Sequence, residues 1–281
     1  MKKTKHRTLF LVLIALVVSL AVIALDQRLA ETRYTIESKK IGRPVRIIFL
    51  SDLHSCVYGD GQTELIAKID QANPDLIVMS GDMVDDVMLQ DGAKWLFDAI
   101  AERYPCYYVT GNHEFRSGEA EAVKAMVRGY GISVLEGSCA VAEVDGVTIN
   151  LCGVDDPDVG EAVFQAQLET AAASADPESF TILLSHRPER LSQYAAYSFD
   201  LVLSGHAHGG QFRIPYLLDG LVAPNQGFFP QYTSGLYQHS EIQMLVSRGL
   251  AKESIPIPRV FNPPELVLID LLPASDCPDL P

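Results

Sequence analysis

Five times in this chain a short apolar run stops on residues that bind metals. Residues 45–50 lead into Ser51-Asp52-Leu53-His54, and residues 76–79 into Ser80-Gly81-Asp82. Residues 107–110 lead into Gly111-Asn112-His113-Glu114, residues 181–184 into Ser185-His186, and residues 201–203 into Ser204-Gly205-His206-Ala207-His208. Short apolar runs bounded by polar turns predict buried strands. Helical spacing separates them over residues 64–72, 93–103, 119–130 and 162–173, with a further helix from Glu189. The second of these stretches, 93–103, is expected to place Trp95, Leu96 and Ile100 on one face. Residues 141–144 and 147–151 flank Asp145-Gly146, a hairpin signal. Residues 211–214, 242–246 and 265–271 read as strands without intervening helices. The pattern predicts an α/β body, residues 45–281, with helices covering its sheets and no internal break.

In α/β sheets, functional side chains converge at the carboxyl ends of strands. Asp52, Asp82 and Asn112 recur at intervals of 30 residues, one β-α-β unit each, which predicts that they arrive side by side. Carboxylate, imidazole and amide oxygen are ligands for Zn, Mn, Fe or Co. Five of the seven histidines lie in these motifs. A lone histidine at a strand end is ordinarily structural; five together with two aspartates and an asparagine predict ligands. Gly81, Gly111 and Gly205 allow tight turns beside them. His6 lies in a basic tail and His239 in a loop, and neither carries a functional reading.

The ordered series Asp-Leu-His, Gly-Asp, Gly-Asn-His-Glu, His and Gly-His-Ala-His resembles the calcineurin-like metallophosphoesterase superfamily. Residues 209–215 and Ser247-Arg248-Gly249-Leu250 resemble its membrane-anchored bacterial branch, with Ala251 where that branch often has glycine. The resemblance implies a four-layer α/β/β/α sandwich, two divalent metal ions, and hydrolysis of a phosphate ester by metal-activated water. It implies that Asp52, His54 and His208 hold one ion, Asn112, His186 and His206 the other, and Asp82 both. It implies that His113 is no ligand but faces the substrate and serves the leaving oxygen. Glu114 is expected to orient a neighbouring histidine or to cap its turn. Arg213 and Arg248 are weaker candidates for binding substrate phosphate; the alternative for each is a salt bridge or surface charge.

The amino terminus carries a separate message. Lys2, Lys3, Lys5 and Arg7 precede an uncharged run over residues 9–25, ~25 Å as a helix. The run exceeds the ~7–15 residues of a signal-peptide core, and Ser19-Leu20-Ala21, the best cleavage candidate, lies inside it. The segments expected are therefore a cytoplasmic tail (1–8), a single transmembrane anchor (9–25) and a linker (26–44), the last being alternatively an exposed first strand. A cleaved signal or a buried helix are the competing readings. Basic residues before the run place the body outside the membrane, as in a bacterial cell-surface protein.

Charge divides along the same boundary. The chain has 22 Lys/Arg and 36 Asp/Glu; residues 1–45 hold 9 and 3 of these, leaving 13 against 33 for the body. So acidic a body argues against nucleic-acid binding, which needs basic residues for phosphate contacts. Cys56, Cys106, Cys139, Cys152 and Cys277 show no CxxC spacing, and their odd number leaves at least one free thiol. Cys106, Cys139 and Cys152 sit in apolar stretches and read as small buried hydrophobes. Phe228, Phe229, Tyr232 and Tyr237 are expected either to pack as a loop core or to line a rim facing lipid or sugar. Two function classes stand: a metal-dependent phosphoesterase acting on envelope esters or soluble nucleotides, and a catalytically silent, membrane-tethered binding protein.

Overall fold

The computed structural model describes residues 2–87, 90–252 and 258–274. The elements are α1 (Lys2–Ala24), β1 (Ala30–Ser38), β2 (Val45–Leu50), α2 (Thr63–Ala72), β3 (Leu76–Ser80), α3 (Asp91–Ala101), β4 (Cys106–Val109), α4 (Asn112–Arg116) and α5 (Ala120–Gly129). There follow β5 (Ser133–Val134), β6 (Ser138–Val144), β7 (Val147–Gly153), α6 (Glu161–Ser174), β8 (Phe180–Leu184), α7 (Leu191–Tyr194) and β9 (Leu201–Ser204). The chain closes with β10 (Val222–Ala223), β11 (Gly227–Phe228), β12 (Gly235–His239), β13 (Ile242–Val246) and β14 (Glu265–Pro273).

Two six-stranded sheets form the body, in the orders β1-β14-β2-β3-β4-β5 and β12-β13-β9-β8-β7-β6. The apolar runs are continuous because each strand is buried on both faces. Ile47 and Phe49 of β2 and Leu76 and Val78 of β3 meet Ile182 and Leu184 of β8 and Leu201 and Leu203 of β9 between the sheets. The alternate residues Ile48, Leu50, Ile77 and Met79 pack under α2, α3 and α5, through Leu65, Ile69, Leu96, Phe97, Val123 and Val127. On the far side Leu183 and Val202 pack under Phe164 and Leu168 of α6. The result is the expected α/β/β/α sandwich.

Several local expectations change. Residues 26–44 contain β1, which pairs in parallel with β14 from Ala30↔Glu265 to Ser38↔Pro273, so this stretch supplies an edge strand rather than a plain linker. On α3 the buried stripe is Ala93, Leu96, Phe97 and Ile100, at helical spacing; Trp95 falls off it and is 45% exposed. Residues 211–214 form no ladder strand, only single bridges from Phe212 to Val260 and Ile214 to Leu218. The helix after Glu189 is brief: one 3-10 turn, Pro188–Arg190, and then α7. Cys139 and Cys152 are not separate buried thiols but a disulfide, lying opposite each other on the β6–β7 hairpin. Cys56 and Cys106 are free thiols, and Cys277 lies outside the described residues. The apolar helix α1 stands with its side chains exposed from Leu9 to Ile23, the surface of a helix long and apolar enough to cross a membrane.

Candidate metal centre

The loops after β2, β3, β4, β8 and β9 meet at one point. Backbone bonds knit the first two, Asp52 N donating to Gly81 O (3.0 Å) and His54 N to Asp82 O (2.9 Å). His206 N donates to Asp52 Oδ1 (3.0 Å), which ties the second sheet to the first. Asp52, His54, Asp82, His206 and His208 all have positive φ, a costly conformation for non-glycine residues. Close approach explains two glycines. A Cβ on Gly111 would lie 2.2 Å from Asp82 Oδ1, and one on Gly205 would lie 2.3 Å from Asp52 Oδ2.

Among the described residues three groups of ligand-type atoms result, each set within 4.8 Å: two fully buried, Asp52, His54 and His208, and Asp82, His186 and His206, and one partly exposed, His54, Asp85 and His113. Hydrogen bonds fix which imidazole nitrogen faces inward. His186 Nδ1 lies 2.8 Å from Ser80 O, a carbonyl that only accepts, so the ring donates there and turns Nε2 inward. His206 Nε2 lies 2.8 Å from Asn225 Oδ1, which leaves Nδ1 facing His186 Nε2 at 3.2 Å. His54 Nδ1 lies 3.1 Å from the Asp85 carboxylate, which leaves Nε2 inward. Such outer partners orient metal-binding imidazoles and raise their basicity.

Asp82 stands between the two buried groups. Its Oδ1 accepts from His113 N (2.8 Å), while Oδ2 lies 3.1 Å from His186 Nε2 and 3.6 Å from His54 Nε2. His54 Nε2 is buried without a hydrogen-bond partner, a costly state that a cation relieves. The Asn112 carboxamide lies 2.7 Å from His206 Nδ1. With its nitrogen inward the amide donates to that ring nitrogen; with its oxygen inward the two would face a shared cation. The residues therefore fit a pair of divalent cations. Burial, and for His206 the neighbouring His186, holds His206 and His208 well below the usual histidine range, hence neutral. Burial opposes charge at Asp82 too, yet His186 beside it holds its carboxyl well below the usual range; in return Asp82, against burial, draws His186 up to about 10.

His113 sits differently. Its side chain is 20% exposed, against 2% for His54 and 0% for His186. Its Nδ1 lies 2.7 Å from Asp86 Oδ1, and its ring stands edge-on to His54 at 4.4 Å. Glu114 does cap its turn. Its carboxylate accepts from Asp82 N (3.0 Å), Val84 N (3.1 Å) and Gly111 N (2.7 Å), joining the second and third loops. Burial, and then the Asp82 charge, push it up to about 7.

Arg213 and Arg248 are engaged in structural contacts. Arg248 pairs with Glu265 (3.1 Å) and Thr32 (3.3 Å), and Arg213 bonds Ser234. The arginines that approach the imidazoles are Arg187, 3.4 Å from His206 Nε2, and Arg259, 3.4 Å from His208 Nδ1. Arg187 also holds Asn225 (2.7 Å) and is gripped by Asp156 (2.5 and 2.7 Å). Sequence reasoning passed over Asp85, Asp86, Asn225, Arg187 and Arg259. A signal existed for three of them, since Asp85 and Asp86 follow Asp82 closely and Arg187 follows His186. A cavity of 740 Å³ opens elsewhere, at the foot of α1 beside Tyr58 and Lys252, and no metal-type imidazole lines it.

The calcineurin-like phosphoesterase family matches residues 45–210. An uncharacterised metallophosphoesterase of Aquifex aeolicus is 31% identical over 250 residues, 85% of this chain and 90% of that protein. The phosphodiesterase YaeI of Escherichia coli is 28% identical, covering 82% of this chain and 83% of its own length. A zebrafish (Danio rerio) transmembrane protein with a metallophosphoesterase domain is 30% identical, over 81% of this chain and 53% of its own. The chain likewise spans 62% of the length of an uncharacterised Helicobacter pylori metallophosphoesterase that it matches.

Proposed function

The chain belongs to the calcineurin-like phosphoesterase family, and from that premise we propose that it hydrolyses phosphate esters with two divalent ions. Asp52, His54 and His208 would hold one ion; Asn112, His186 and His206 would hold the other; Asp82 would serve both. Bound there, the ions polarise the phosphoryl oxygens and lower the pKa of an attacking water. The carrying observation is that His54 Nε2, His186 Nε2 and His206 Nδ1 turn inward about the buried Asp52 and Asp82 carboxylates, with His54 Nε2 left without a hydrogen-bond partner.

The chain's own residues supply the rest. Asp85, Ser80 O and Asn225 fix the tautomers of His54, His186 and His206, so the ligand geometry exists before substrate arrives. His113 reaches outward, with Asp86 on its Nδ1, which leaves Nε2 to give a proton to the leaving oxygen. Glu114 holds the Asp82 and Asn112 loops in register.

The substrate class we favour is an envelope or lipid-linked phosphate ester outside the membrane. Helix α1 supports tethering, and the Cys139–Cys152 disulfide supports a body in an oxidising compartment. The test is a hydrolysis panel on the full-length protein in detergent, with Mn, Zn, Fe or Co added singly. It should span diesters, monoesters, lipid pyrophosphates and free nucleotides. Turnover confined to nucleotides would overturn the envelope reading. No turnover with any metal, in a protein that carries two ions, would favour the silent binding protein.

A further inference from the structure

Four of the five side chains on one rim of the body are large, apolar and more than two-thirds exposed. Tyr216 is 104% exposed, Leu217 84%, Phe228 72% and Phe229 71%; Ile214 beside them is 38% exposed. Scattered apolar residues are ordinary on surfaces, but a cluster on adjoining turns marks a contact surface. Tyr232 and Tyr237, by contrast, pack edge to face at 5.1 Å against the α6-covered core. The aromatic stretch thus divides into a packed base and protruding tips.

A ladder of backbone hydrogen bonds connects these tips to the apolar helix. Phe261 N donates to Ala24 O (2.7 Å) at the end of α1. The neighbouring Val260 exchanges bonds with the next segment: its N donates to Gln211 O (3.2 Å) and its O accepts from Arg213 N (3.0 Å). Leu221 N donates to Phe212 O (2.9 Å), and Phe229 N donates to Leu221 O (2.9 Å). Phe229 thus stands four hydrogen-bonded steps, through irregular segments, from the point where α1 meets the body. The same segments hold the candidate metal centre. Asn225 contacts His206 (2.8 Å), and Asn262 donates to His208 O (2.7 Å).

We propose that Tyr216, Leu217, Phe228 and Phe229 form a second membrane contact that seats the metal centre against the bilayer to which α1 tethers the chain. The occupant is the lipid surface itself. Continuity with α1 argues for it, since the rim is joined through Leu221, Phe212, Val260 and Phe261 to the end of a helix long and apolar enough to cross that membrane. Charge does not select the lipid: the cation in this stretch, Arg213, bonds Ser234, and Asp219 stands exposed beside it. Contact is therefore apolar and independent of lipid charge and salt. Resting on the phosphoesterase reading, the consequence is a substrate class: amphiphilic phosphate esters whose headgroup enters the site while the acyl chains stay in the bilayer.

The test uses the full-length chain in phosphatidylcholine vesicles. Trp95 is the single tryptophan, so Trp95→Phe combined with Phe228→Trp, or with Leu217→Trp, reports on the rim alone. Quenching by lipids brominated high on the acyl chain should be at least threefold stronger for these variants than for Trp95 in the unaltered chain, with or without 0.5 M salt, where screening is severe (about 4 Å). Quenching no stronger than that of Trp95 would overturn the contact. So would a dimer in detergent that Phe228→Asp with Phe229→Asp dissolves, which would assign the rim to a second copy. Substrate class is read separately, with a nitrophenyl phosphodiester bearing two acyl chains in vesicles and the same diester without chains in solution. The double Asp variant should lose about tenfold on the first and nothing on the second. Equal effects on both would overturn the substrate class. If unaltered protein hydrolyses neither, the phosphoesterase reading fails while the quenching result stands.

Discussion

The two ligand groups of the metal centre look alike in composition and differ in what stands behind them. Behind the His186 and His206 imidazoles stand the neutral Ser80 carbonyl and Asn225 amide, with the Arg187 guanidinium 3.4 Å from His206 Nε2. Behind His54 and His208 stand the Asp85 carboxylate and, at the same 3.4 Å, the Arg259 guanidinium, so the halves differ at His54, backed by a carboxylate, and His186, backed by a carbonyl. A carboxylate behind an imidazole strengthens its donation to a metal; a guanidinium weakens it. The two ion sites should therefore be unequal, with their balance set by residues that touch neither ion. Asp82 belongs to neither half, and its position decides whether the comparison has two members at all.

The largest effect is expected at that position. Asp82→Asn removes negative charge from between two cations, so their repulsion rises and both should leave. Elemental analysis after identical purification should give two ions per wild-type chain, fewer than one for Asp82→Asn, and one each for His54→Ala and His186→Ala. Hydrolysis should be undetectable in Asp82→Asn. Two ions retained there would dissolve the shared-carboxylate arrangement.

Next in size is His113, which should lie outside the comparison. His113→Ala should keep both ions and lower turnover by roughly 10²–10⁴, the range for a positioned acid or base. Asp86→Asn should reproduce part of that loss. Loss of one ion on His113→Ala would instead enrol it as a ligand beside Asp85 and His54, a grouping the geometry also permits.

The outer partners test the inequality itself. Asp85→Asn should weaken one ion, and Asn225→Ala the other, each by roughly 10–100-fold, the usual cost of losing an outer-shell partner. Metal titration followed by calorimetry should show the tight and weak steps exchanging order between the two variants. If both variants weaken the same step, the two halves are not separately supported.

How far these features were legible follows from how far local sequence determines them. The strands bearing Asp52, Asp82, Asn112, His186 and His206 were legible because strands buried on both faces leave continuous apolar runs. The disulfide was legible in principle. Cys139 and Cys152 stand equally far from Asp145-Gly146, so a two-residue hairpin turn makes them partners by register. What was missing was the step from a turn to its pairing. β1 was half legible, because an edge strand with alternating exposure resembles a linker in composition. Asn225 and Arg259 were not legible. They reach the histidines from irregular segments, whose course no periodicity reveals. Trp95 misled because it was set on one face with its immediate neighbour Leu96, while the spacing of Ala93, Leu96, Phe97 and Ile100 already excluded it from the stripe.

The smallest effect expected is a change in the sign of pH dependence, and it contrasts the ion-free with the ion-loaded centre. Without ions, Asp82, against the effect of burial, holds His186 protonated up to about 10. A histidine raised on folding contributes stability that is complete below its unfolded value near 6.5 and lost as pH rises toward 10. Glu114, raised to about 7 by burial and by Asp82, acts in the same direction over a lower window, from about 4.5 to 7. Chelated protein should therefore melt at progressively lower temperature between pH 6.5 and 10, and Glu114→Gln should flatten the decline below pH 7. With both ions bound the order reverses over the upper window. A proton on His186 Nε2 competes with the cation for the same lone pair, so binding tightens as pH rises, and so does the stability it confers. Melting curves from pH 6.5 to 10, with chelator and with Mn²⁺, should converge at the acid end and separate toward the alkaline end. Parallel curves would mean that no proton is exchanged for metal at His186, and the half of the centre that holds His186 and His206 would lose its ion.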